Sequence, residues 1–120
     1  MPHAPDTAVV DGVLTALADP TRRRLLDVLS AHGQATATTI ADGLPVSRQA
    51  VVKHLAVLDA AGLVESTKVG REVRFSVRPE ALDATARWMA ALAADWDRRL
   101  ARIQRVAEAA ERAHRDAPSS

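Results

Sequence analysis

Residues 37–58 read ATTIADGLPVSRQAVVKHLAVL, and this stretch decides the fold. At its centre Leu44-Pro45-Val46 separates two helical patterns. Proline has no amide N–H to donate and steers the residue before it away from helical backbone. Ser47 follows with the chemistry of an N-cap, because its hydroxyl accepts one of the orphan N–H groups at a helix start. Ala50, Val51, Leu55 and Leu58 then recur at the spacing of one buried stripe, which predicts a helix from Ser47 to about Ala60, ended by Gly62. On the other side of the turn Thr36 caps a short helix over Ala37–Gly43, with Ile40 and Ala41 on its inner face.

Two short helices joined by a tight turn have the dimensions of a helix-turn-helix, whose second helix enters the DNA major groove. Burial of the stripe leaves Arg48, Gln49, Val52, Lys53 and Ala56 on the outward face. Arginine donates two bonds to guanine, glutamine pairs bidentately with adenine, and valine touches a thymine methyl. Lys53 suits a phosphate, and Ala56 is small enough to let the helix approach a groove. His54 stands at the margin of the stripe, where it either donates to a phosphate or satisfies the turn before its helix. Thr38 and Ser47 complete the candidate DNA-contacting set on these two helices.

Downstream the period changes. Val73, Phe75 and Val77 alternate with Glu72, Arg74, Ser76 and Arg78, the pattern of a half-buried strand. Leu63–Val69 is its partner and Gly70 the turn, so residues 63–78 read as a β-hairpin, a wing, with basic side chains near its tip. Lys68, Arg71 and Arg74 join the candidate set there as contacts to flanking backbone or a minor groove. Cross-strand pairing with Glu65 competes for Arg74 and Arg78, which leaves Arg71 as the least encumbered of these cations.

Upstream, Val9, Val10, Val13, Leu14 and Leu17 predict a first amphipathic helix over residues 7–18. Asp19-Pro20 starts a second, to about Ala31, with Leu25, Leu26, Val28 and Leu29 as its core face and Gly33 as its stop. Arg22-Arg23-Arg24 reads either as a second basic cluster or as a solvated face, and stays outside the site. After the hairpin, Pro79-Glu80 opens a helix that continues to about Ala113, with Leu82, Met89, Leu92, Trp96, Leu100, Ile103 and Val106 at threes and fours. At ~1.5 Å per residue it extends on the order of 50 Å, so part of its apolar face needs another chain. Val10, Leu14, Met89, Leu92, Trp96, Leu100 and Ile103 are the candidate dimer contacts. The Trp88, Leu92, Trp96 face reads as a packing stripe ahead of a ligand cage.

The 120 residues, 48% of them hydrophobic, are enough for one domain, taken as 1–115, with 116–120 as a disordered tail. The net charge of +1 hides an uneven distribution. Residues 1–46 sum to −2 and residues 79–120 to zero, whereas 47–78, holding the recognition helix and hairpin, sum to +3. No cysteine is present, which excludes disulfides and thiolate chemistry and fits a reducing cytoplasm. The absence of a leader pattern or a long apolar run points to a cytoplasmic protein without a membrane partner. His3, His32, His54 and His114 are scattered with no ligand spacing, so neither a metal nor a cofactor is expected. No nucleophile–base pair or phosphate loop can be assembled, which argues against an enzyme. The expected fold is mainly α with a small β-hairpin, in the order α-α-α-α-β-β-α.

Ala18-Asp19-Pro20-Thr21-Arg22-Arg23-Arg24-Leu25-Leu26 resembles the helix-two signature of the ArsR family of bacterial winged-helix repressors. Ser47-Arg48-Gln49-Ala50-Val51-Val52-Lys53-His54-Leu55, followed by Leu58 and Ala61-Gly62-Leu63-Val64, resembles that family's recognition helix and entry to the wing. The resemblance covers about residues 10–100. It implies a homodimer formed by the first and last helices, bound to a partly palindromic operator and repressing by blocking transcription, with autoregulation expected. Many relatives sense metals through cysteines of the third helix or Asp/His ligands of the last, and this chain departs from both patterns. It is similar instead to the metal-independent members, including those associated with stress and toxin immunity. Whether a small-molecule inducer exists is open. The rival reading is a winged-helix module that binds protein rather than DNA.

Overall fold

The computed structural model describes residues 3–117. The elements run α1 His3–Leu17, α2 Pro20–His32, β1 Ala35–Thr36, α3 Ala37–Asp42, α4 Arg48–Ala60, β2 Val64–Val69, β3 Glu72–Val77 and α5 Glu80–Arg115. Each expected element is present, and α1 begins four residues earlier than its apolar period announces. Pro118, Ser119 and Ser120 of the expected tail lie outside the described residues. Asp116 and Ala117 still donate to the carbonyls of Arg112 and His114, at 2.9 and 3.4 Å, so the first two tail residues continue the last helical turn.

The chain divides into two units, Met1–Ala86 and Arg87–Ser120. The first holds the core. Val13 and Ala16 of α1, Leu25 and Leu29 of α2, Ile40 of α3, Leu55 and Leu58 of α4, and Leu63 beside the hairpin form one buried cluster. Fully burying a leucine stabilises a fold by roughly 1.5–3 kcal/mol, so these few side chains dominate its cohesion. The α4 stripe is as expected: Val51, Leu55 and Leu58 are buried and Ala50 is half-buried.

Caps punctuate this unit where their chemistry requires. The Asp19 carboxylate accepts from Thr21 N at 2.7 Å and Arg22 N at 3.4 Å, and Pro20 occupies the first turn of α2, where a missing N–H costs nothing. Thr36 Oγ1 accepts from Thr39 N at 3.2 Å, and Ser47 Oγ from Ala50 N at 3.1 Å. Gly70 turns the hairpin at φ 63°, a backbone that side chains with a Cβ resist.

The sheet has three strands, not the two expected, in the order β1-β3-β2. Ala35 pairs with Phe75 and Thr36 with Arg74, antiparallel. This two-residue strand is too short for any period to reveal. It ties the base of the wing to the chain immediately before α3, so that hairpin and helix-turn-helix are joined by main-chain hydrogen bonds. Val73 departs from the half-buried alternation: it is 46% exposed, because it lies toward the hairpin tip while Phe75 and Val77 pack against the core.

The second unit is helical, the continuation of α5 from Arg87. Within it Arg98 and Arg99 share the Asp95 carboxylate at 3.6 and 3.1 Å, and the Arg99 guanidinium lies 5.5 Å from the centre of the Trp96 ring. No helix among the described residues is long and apolar enough to cross a membrane.

Candidate nucleic-acid interface

The outward face of α4 is built by subtraction: once Val51, Leu55 and Leu58 are turned inward, the helical period leaves Arg48, Gln49, Val52, Lys53 and Ala56 in solvent, and all five are exposed. Val52, at 46%, is a large apolar side chain held out from a core that is otherwise well filled. Arg48 occupies the first position of α4, and no acidic residue lies in that first turn. A cation at the positive end of a helix dipole costs roughly 0.3–1 kcal/mol rather than stabilising it. Helix stability therefore does not account for Arg48, whereas a start rich in positive potential suits a phosphate-bearing partner.

Across the turn, Arg48 Nε donates to Thr38 Oγ1 at 3.1 Å, joining the two helices on their exposed side. Thr38, Arg48, Val52, Arg71, Val73 and Phe75 contribute to the lining of a groove of about 680 Å³ between α3, the start of α4 and the wing. Thr38, Arg48 and Val52 of the two helices thus share one concave surface with Arg71 of the hairpin, which β1 makes possible by anchoring β3 beside α3. Ser47, exposed and next to Arg48 in sequence, serves as the α4 cap.

The hairpin cations divide by their partners. Among the described residues Lys53, Lys68 and Arg71 make no ion pair, nor does Arg48. Arg74 is held by Glu72, whose Oε1 accepts from Nε at 3.2 Å and from Nη2 at 2.9 Å. The competitor for Arg74 is thus its same-face neighbour on β3, while Glu65 lies 3.9 Å from Arg78, which also has Glu80 at 3.8 Å. The sequence places Glu72 on the face of Arg74 and Arg78, but the partner it leads one to expect is Glu65 across the strands. The two-residue spacing that puts Glu72 on the face of Arg74 is the signal for the pair that forms.

His54 is half-buried and lies within electrostatic reach of Asp19. The Asp19 carboxyl sits below the usual aspartate range chiefly because it accepts the Thr21 backbone N–H. Partial burial opposes this, and the Arg22 N–H and the charges of Arg22 and His54 reinforce it. Arg22 and Arg23 belong to this corner as well. Arg22 donates to the carbonyls of Ala16 and Thr15, and Arg23 to that of Leu17, so both satisfy the open C-terminal end of α1. This assigns two of the three arginines of the ADPTRRRLL stretch to architecture.

Of the candidate dimer contacts, Val10 requires correction. It is 2% exposed, taken up inside the first unit, because Val10 and Val13 fall on the inward face of α1. Leu14 and its neighbour Val9 are the exposed large apolar residues of that helix. In the second unit Met89, Leu92, Trp96, Leu100 and Ile103 are all exposed, together with Trp88 and Val106, at 42–63%. No group of three or more metal-ligating side chains occurs among the described residues.

A helix-turn-helix domain family matches residues 17–67. The transcriptional repressor SdpR of Bacillus subtilis (strain 168) is 31% identical over 80 residues, spanning 67% of this chain and 88% of that protein. The HTH-type transcriptional regulator Rv2034 of Mycobacterium tuberculosis is 41% identical over 88 residues, spanning 73% and 75%. Among solved structures, an ArsR-like transcriptional regulator from Rhodococcus sp. RHA1 superimposes with a TM-score of 0.76 at 46% identity, covering 84% of this chain and 94% of that one. Winged helix-turn-helix architecture and these similarities agree, and the chain belongs to the ArsR family of winged helix-turn-helix transcriptional regulators.

Proposed function

We propose that the chain is a homodimeric transcriptional repressor, autoregulatory and independent of metal, that reads a partly palindromic operator with two copies of α4. Arg48, Gln49 and Val52 face base edges. Thr38 stands beside Arg48 at the base edges, Ser47, Lys53, Lys68 and Arg71 face phosphates, and Arg74 does so to the extent that Glu72 releases it. The observation that carries this reading is that Arg48 and Arg71, which make no ion pair among the described residues, line one concave surface, with Arg48 at a helix start that has no electrostatic need of it. Repression rather than activation is supported by the 31% identity to a protein named a transcriptional repressor. The homodimer is supported by the exposed apolar stripe of α5. Half-sites then lie about one DNA turn, ~34–36 Å, apart.

Fluorescence anisotropy of the purified protein tests this reading, with its own upstream DNA and a scrambled duplex at several salt concentrations and no added metal. The expected result is binding at least ~10³-fold tighter to the upstream DNA, with log affinity falling linearly in log salt. Equal affinity for both duplexes at every salt concentration overturns sequence-specific autorepression.

A further inference from the structure

We infer that Thr38 is a positioning residue for Arg48, which it holds in an end-on presentation that reads guanine in each half-site. The inference rests on the proposed entry of α4 into the major groove and deepens it. An exposed arginine at a helix start samples many rotamers, and a guanidinium can offer guanine either its two Nη groups or one Nη with Nε. Here Nε is already committed, donating to Thr38 Oγ1 at 3.1 Å, so the Nη1/Nη2 fork is the pair left to donate.

The other nearby threonines are not available for this. Thr36 Oγ1 accepts the Thr39 amide as the cap of α3 and donates to Thr39 Oγ1 at 3.1 Å, so Thr36 and Thr39 are bonded to each other. Thr38 alone of the three turns its hydroxyl to α4, and it does so across the helix-turn-helix, ten residues from Arg48 in sequence. No carboxylate pairs with Arg48 among the described residues, so the guanidinium is oriented without being neutralised. A carboxylate in place of Thr38 would orient it equally well but compete with the base for its charge. A hydroxyl leaves that charge to the DNA.

The experiment selects preferred sites from a randomised duplex library with the full-length protein. It then measures wild type, Thr38→Val, Thr38→Ser, Arg48→Ala and the Thr38→Val/Arg48→Ala double variant against a panel with each base pair replaced in turn. Arg48→Ala is expected to abolish a guanine preference of about 5- to 150-fold at one position per half-site. Thr38→Val keeps the shape of the side chain and loses the hydroxyl. It is expected to reduce preference at that same position by about 2- to 12-fold and to change the other positions little. Thr38→Ser restores the preference, and Thr38→Val has no further effect there in the Arg48→Ala background.

Thr38→Val that weakens every duplex equally, or that leaves the guanine preference intact, overturns the positioning role while the DNA-reading α4 stands. An Arg48→Ala variant with unchanged site preference overturns both the reading by Arg48 and its positioning by Thr38, and a wild type without any preference overturns the DNA-reading α4 as well. Thr38 is exposed, and thermal melting of each variant separates lost reading from lost folding.

Discussion

At the scale of single residues, Asp19 shows how one side chain joins stability to pH. It caps α2, pairs with Arg22 at 3.7 Å and feels the charge of His54, and its carboxyl is held below the ordinary range, first by the Thr21 N–H. A carboxyl whose folded-state pKa is depressed contributes stability that is present above its unfolded pKa, about 3.9, and is lost as pH falls through the folded value. Asp19→Asn retains a capping oxygen and removes the charge. Thermal melts from pH 7 to pH 2 should show the variant below wild type at neutral pH, with the gap closing through the acid range. A gap independent of pH would mean that the cap, and not its charge, carries the contribution. Gln49 belongs at the same scale. Exposed on the outward face with no side-chain partner among the described residues, it is expected on Gln49→Ala to lose ~1–3 kcal/mol of discrimination at an individual base pair, while affinity for unrelated DNA stays near wild type.

At the scale of elements, the wing and the recognition helix respond differently. Arg71→Ala should weaken binding to all sequences alike and flatten the salt slope by about 1, as loss of one phosphate contact does. Glu72→Gln removes a carboxylate from the groove and releases Arg74, so it should tighten binding to every duplex and steepen the slope, which salt titrations of both variants will measure. In α4 the inward stripe sets stability: Leu58→Ala, at a fully buried position, should cost about 2–5 kcal/mol in denaturant unfolding. Helix α4 was legible because Ser47, the apolar period and Gly62 all mark it independently. The hairpin was legible from alternation around Gly70. Strand β1 was not, since two residues carry no period and their pairing with Phe75 and Arg74 exists only in three dimensions. The same limit hid Arg22 and Arg23, whose acceptors are carbonyls of another helix. It also hid the choice Arg74 makes between Glu65 and Glu72, which depends on side-chain reach and not on spacing alone.

At the scale of the whole molecule, family membership makes the chain a DNA-binding transcriptional regulator and not an enzyme, and what remains is how many copies act together. In the second unit no large apolar side chain of α5 is buried among the described residues, although Trp88, Leu92, Trp96, Leu100, Ile103 and Val106 recur at helical spacing along one stripe. Isolated helices owe little of their stability to propensity and most of it to packing of such a face, and an exposed stripe of this length marks an interaction surface. Val10 is buried in its own fold whereas Leu14 is 41% exposed, which separates their roles on α1. Val10→Ala should lower the melting temperature whatever the assembly state, whereas Leu100→Glu and Ile103→Glu should spare the first unit and disrupt self-association. Sedimentation velocity is then expected to give twice the chain mass for wild type and the single-chain mass for the glutamate variants. Two linked half-sites gain about 10²–10⁴-fold over one, so operator affinity should fall by that factor in the monomeric variants while affinity for a single half-site stays constant. If the glutamate variants sediment as wild type does, the α5 stripe is not the surface that pairs two copies. If they become monomers yet hold the full operator as tightly, each recognition helix binds independently of its partner, and the palindromic reading fails although the α5 stripe pairs two wild-type copies.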